Sequence, residues 1–92
     1  MKITDVKVFL RSGEPLKAFA NIVIEDAFVV KNIKIIESTK GLFIAMPSQK
    51  NKNGVYRDIA HPLNTETRDQ IEKMIIEKYH EVVNLPPLPE EE

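Results

Sequence analysis

With 92 residues, 42% hydrophobic and 29% charged, the chain has the size of one domain, able to bury a core but small enough that self-association would add useful stability. It contains no cysteine, which excludes disulfides and thiolate metal sites, and no apolar run approaches membrane-spanning length. The formal charge is −1, but three of the 14 acids are Glu90, Glu91 and Glu92; without them 13 cations face 11 acids, a balance of +2, so only the distribution of charge can point to a polyanionic partner.

Met1 and Lys2 lead straight into the alternating segment ITDVKVFL, without the apolar stretch of a secretory signal, and a soluble cytoplasmic protein is expected. Val6, Val8 and Leu10 fall on one face of this first strand, and Ser12-Gly13-Glu14-Pro15 reads as the turn of a hairpin. The second strand has the clearest pattern in the chain. Leu16, Ala18, Ala20, Ile22 and Ile24 share one face, whose small alanines would let a helix approach closely; Phe19 and Val23 leave the other face only partly polar, a candidate partner surface.

Phe28 to Glu37 reads as a third strand and Leu42 to Met46 as a fourth, which Pro47 ends. Asn53-Gly54 is a two-residue turn signal, because both residues tolerate positive φ, and Val55 to Ala60 resumes a short strand; Lys50 and Lys52 then project from a hairpin tip. His61-Pro62 breaks that strand, and Asn64 or Thr65 can cap a following helix whose apolar stripe is Ile71, Met74, Ile75, Tyr79 and Val82. Asn84 closes it. The expected fold is α+β: an antiparallel sheet of about five strands with a C-terminal α-helix packed on one face, residues 1–84 forming the domain and 85–92 a disordered proline-rich acidic tail. Pro86 and Pro89 in that tail have PxxP spacing. An open sheet leaves a strand edge exposed, and pairing it across a two-fold axis would give a homodimer.

Catalysis finds little footing. Ser48, Asp58 and His61 match no nucleophile constellation, and no glycine-flanked serine elbow is present, so no enzyme is expected. His61 and His80 are the two histidines and lie far apart in sequence, giving no metal-ligand spacing; the three glycines are scattered singly, giving no phosphate-cradling loop, and no cofactor is expected. What remains is a run of cations, Lys40, Lys50, Lys52, Arg57 and Arg68, either a solvated surface or a set of phosphate contacts supported by the helix start. Tyr56 offers a stacking ring beside them.

MKITDV, EDAFVVKNIKIIE, KGLFIAMPS, YRDIAHPLN and TETRDQI together resemble the SpoVG family, the stage V sporulation protein G or septation proteins of bacteria, over roughly Met1 to Tyr79. The resemblance implies a small dimer, a role in septation, cell division and sporulation control, and site-specific binding of DNA, in some members of RNA, to regulate gene expression. It also implicates the basic residues after the Met-Pro-Ser motif and the helix start in nucleic-acid contact. In this chain Gln49 replaces one of the two adjacent basic residues usual after Ser48, and Lys50 and Lys52 follow; Thr65, Glu66, Thr67 and Arg68 keep the helix-start pattern. Lys50, Lys52 and Arg57 are therefore expected on phosphates, and Thr65, Thr67, Arg68 and Gln70 near bases or sugars. The rival expectation is a protein-interaction module of the division machinery, docking through Phe19 and Val23 without direct nucleic-acid binding.

Overall fold

The computed structural model describes residues 1–84; the expected tail, 85–92, lies outside the described residues, as does its PxxP spacing. In chain order the elements are β1 (Ile3–Leu10), β2 (Leu16–Ile24), β3 (Phe28–Ser38), β4 (Gly41–Ala45), β5 (Ser48–Lys50), β6 (Tyr56–Asp58) and α1 (Thr65–Asn84). Strands β1 to β4 form one antiparallel sheet in sequence order, β5 and β6 form a separate antiparallel ribbon, and α1 lies on one face of the larger sheet.

The alternation of β2 decides which face that is. Ala18, Ala20 and Ile22 are buried, together with Ile33 and Ile35 of β3, Ile44 of β4 and Ile71 and Ile75 of α1. The alanines have no bulk beyond Cβ, which leaves room above β2 for Ile71 and Ile75 of α1 and for the branched side chains of the neighbouring strands in one core. Ile22, Ile33, Ile35, Ile44 and Ile75 are fully buried, and each contributes roughly 1.5–3 kcal/mol by leaving water. Val6 joins this core and Val8 packs partly against it, whereas Leu10, expected on the same face, is exposed at the end of β1. Phe9, Phe19, Lys34 and Ala45 are successive cross-strand partners on the opposite face, which no helix covers among the described residues.

The helix begins where the sequence puts a cap. Asn64 Oδ1 accepts the N–H of Thr67 at 2.7 Å, so one of the first-turn donors that no intrahelical carbonyl can reach is satisfied. From there α1 crosses the sheet, touching β4 and, more extensively, β1. Two side chains one helical turn apart reach the outer edge of β4: Arg68 donates to the carbonyl oxygen of Ile44 at 3.2 Å, and Glu72 accepts the Ile44 N–H at 3.3 Å. The helix therefore hydrogen-bonds to part of one of the two sheet edges, leaving β1 as the edge without such bonds from α1 among the described residues.

Strand β5 was not foreseen. Pro47 does end β4, but Ser48–Lys50 then pair with β6, and the Ile59 N–H donates to the Pro47 carbonyl at 2.7 Å to close the base of the ribbon. Ser-Gln-Lys carries no β-branched or aromatic residue, so nothing in it favours a strand until a partner supplies the ladder.

Candidate nucleic-acid interface

The ribbon β5–β6 carries the expected lysines, but not on a two-residue turn. Asn51 N–H donates to the Val55 carbonyl at 2.8 Å, and Asn51 Oδ1 accepts from the N–H groups of Asn53 at 2.9 Å and Val55 at 3.0 Å. A five-residue loop, 51–55, results, organised by one side-chain amide; Gly54 has φ +83° and Asn53 keeps negative φ. The correction has a simple cause. Asn51 satisfies loop N–H groups that a tight turn would have had to satisfy by cross-strand pairing.

Register then separates the cations. Lys50 pairs with Tyr56 and Ser48 with Asp58, while Gln49 pairs with Arg57 between them. Directly opposed residues share a face and neighbours alternate, so Lys50 and Tyr56 lie on one side of the ribbon and Arg57 on the other. Lys52 sits in the loop. Lys50, Lys52 and Arg57 are exposed, and among the described residues none makes an ion pair. Tyr56 is 66% exposed, so its ring is offered to solvent instead of being packed into a sheet. Gln49 opposite Arg57 also gives the departure from the usual basic pair a local effect: a cation at 49 would face another directly across the ladder.

The helix start is built differently. Thr65 and Gln70 are exposed, Thr67 and Arg68 half-buried. The N–H of Thr67 is taken by the Asn64 side chain and that of Arg68 by the Asn64 carbonyl at 3.2 Å, and one guanidinium nitrogen is committed to Ile44. Four guanidinium donors remain beyond that bond, since the fork has about five N–H groups. Asp58 borders both the ribbon's shallow groove and a depression formed with His61, Asn64, Thr65 and Arg68, so the two regions adjoin, and that carboxylate opposes an anion at the junction. The His61 Nδ1–H donates to the neighbouring Pro62 carbonyl at 2.9 Å, a local bond at the end of the ribbon.

Phe19 and Val23 lie on the open face of the sheet. Phe19 is flanked by Phe9 and Lys34, and Val23 by Asp5 and the exposed Val29. Phe9, Arg11 and Lys34 were missed by reasoning from β2 alone. The alternation of β1 already held the signal, since the face opposite Val6 and Val8 carries Lys7 and Phe9, with Arg11 next in step.

The model of the SpoVG family matches residues 1–81. A protein of Phytoplasma australiense is 55% identical over 87 residues, covering 94% of this chain and 91% of its own length; one of Bdellovibrio bacteriovorus is 54% identical over 79 residues, covering 86% and 73%. A third, from Clostridium perfringens, is 52% identical over 86 residues, covering 92% and 96%. All three carry the name "Putative septation protein SpoVG".

Proposed function

We propose, from the premise that the chain belongs to the SpoVG family, that it is a septation and sporulation regulator acting as a homodimeric, site-specific DNA-binding protein that also takes RNA. The observation that carries the reading is the β5–β6 ribbon. It presents Lys50, Lys52 and Arg57 to solvent without a carboxylate partner among the described residues, with the Tyr56 ring on the same side as Lys50. Phosphates neutralise such cations and release condensed counterions, and this sets affinity and orientation. Thr65, Thr67, Arg68 and Gln70 at the helix start then supply discrimination through sugars and base edges. Regulation of division genes through these contacts accounts for a septation role without a place in the septum itself.

The test is a salt titration of duplex binding. If a dimer engages about six phosphates, the log-log slope is roughly −5, and Lys50→Ala with Lys52→Ala flattens it for all sequences alike. Binding that ignores salt, or that the double variant leaves intact, overturns the reading. A second reading, an interaction module of the division machinery using Phe19 and Val23, draws on the exposed Val29 beside Val23. In that case Phe19→Ser abolishes capture of a division protein while nucleic-acid binding persists.

A further inference from the structure

The helix-free face of the four-stranded sheet has an ordered arrangement of rings and cations. Phe9 and Phe19 are direct cross-strand partners on β1 and β2, and the row continues through Lys34 on β3 to Ala45 on β4. Phe9 is 52% exposed. Cross-strand neighbours stand about 5 Å apart at Cβ, so the two rings form one apolar strip. The guanidinium of Arg11 lies over the Phe19 ring, 5.0 Å from its centroid, while Lys7 precedes Phe9 by two residues on the same strand face. Lys7, Arg11 and Lys34 make no ion pair among the described residues, in contrast to Lys17 nearby, which is held by Glu14 and Glu37.

A groove of about 390 Å³ opens beside this row, with Arg11, Phe19, Asn32 and Lys34 on the sheet side and Ser48 and Ile59 on the ribbon side. Ile59 also borders the groove that holds Lys50, Lys52 and Arg57. The two grooves thus meet at Ile59, where the open face adjoins the ribbon.

We propose that this open face is a stacking platform for single-stranded nucleic acid, on which bases lie against Phe9 and the Arg11–Phe19 pair while Arg11 and Lys34 hold the backbone phosphates. The chemistry favours a single strand over a duplex. Exposed rings on a sheet can receive only unpaired bases, because in a duplex the base faces are already stacked on one another. A planar guanidinium resting on a ring offers its outer face to a base and its N–H edge to a phosphate. Unpaired cations around an apolar strip match a polyanion whose repeating unit is an aromatic ring and a phosphate. The idea deepens the nucleic-acid reading by naming a second site and its strand class, and it rests on that reading only for the continuation of the strand onto the ribbon.

The experiment compares full-length protein with the Phe9→Ser, Phe19→Leu double variant by fluorescence anisotropy, using a twelve-nucleotide uridine strand and a duplex of mixed sequence, with Lys50→Ala/Lys52→Ala in parallel. Leucine keeps apolar bulk at 19 and removes the π face, and Phe19→Leu alone serves if the double variant melts early. The platform predicts that single-strand affinity falls about tenfold or more in the ring variant, base stacking on one aromatic ring being worth about tenfold, while duplex affinity moves less than about twofold. Photo-crosslinking of an iodouridine strand is expected to label peptides containing Phe9 or Phe19. The inference is overturned if the ring variant binds the single strand as wild type does, if labels fall only within 48–59, or if the rings govern self-association alone. Failure of the duplex and lysine arms with ring labelling intact would end the reading of the ribbon as a duplex-binding site and leave the platform standing.

Discussion

Cations at the ribbon and at the helix start have opposite relations to the fold. Lys50, Lys52 and Arg57 project from a ribbon outside the core, and no hydrogen bond or ion pair of their side chains ties them to the protein among the described residues. Arg68 is half-buried and joins α1 to the edge of β4 through the Ile44 carbonyl, with Glu72 completing the clasp on the Ile44 N–H. The difference teaches that a cation in a binding motif can serve the fold first, and that its loss then moves stability and affinity together. On the proposed reading, loss of a ribbon cation is expected to move affinity alone.

The largest effect that sharpens this contrast is on affinity. Six phosphate contacts lose about 10³-fold between 50 and 200 mM salt; the Lys50→Ala/Lys52→Ala variant, stripped of four of them in a dimer, is expected to show a slope near about −2 with an unchanged thermal midpoint. A lowered midpoint in that variant would mean that the lysines support the fold after all. Next comes Arg68→Ala, expected to cost about 1–2 kcal/mol in chemical denaturation, since a bond from a charged donor is lost and the Ile44 carbonyl is left to water. Wild-type stability with lost affinity would make Arg68 a free phosphate contact and erase the contrast.

Asn64→Ala is expected to cost about 1 kcal/mol by removing the cap on the Thr67 N–H, with little effect on salt dependence; urea melts beside binding curves check this. The smallest effect concerns a third kind of cation, one already paired. Side-chain hydrogen bonds from Glu14 and then Glu37 raise the Lys17 pKa above its ordinary 10.5. Its contribution to stability is fully present below the unfolded-state value and is lost as pH rises through the raised folded value. Wild type should thus lose a small increment of thermal stability above about pH 10.5 that the Glu14→Gln/Glu37→Gln variant does not lose. Parallel alkaline melting profiles would show the pairing to be inconsequential.

Much of the fold was legible because its signals are short-range. Period-two alternation in Leu16–Ile24 and the spacing of Ile71 and Ile75 mark the buried faces, and Asn64 marks the helix start through its own side chain. The ribbon was half legible. Gly54 announced a reversal, but the loop's width depends on where the Asn51 amide points, and β5 exists only because β6 lies beside it.

The sequence by itself determined the α+β class, the inward faces of the strands and helix, and membership of the SpoVG family, since each is written in spacing and identity along the chain. Only the tertiary structure decided that Arg57 and Lys50 face opposite ways, that Arg68 and Glu72 clasp Ile44, and that Phe9, Phe19 and Lys34 form one row. The physical reason is that register and edge contacts join residues six to 28 positions apart, and strand alternation names a face without naming what lies across it.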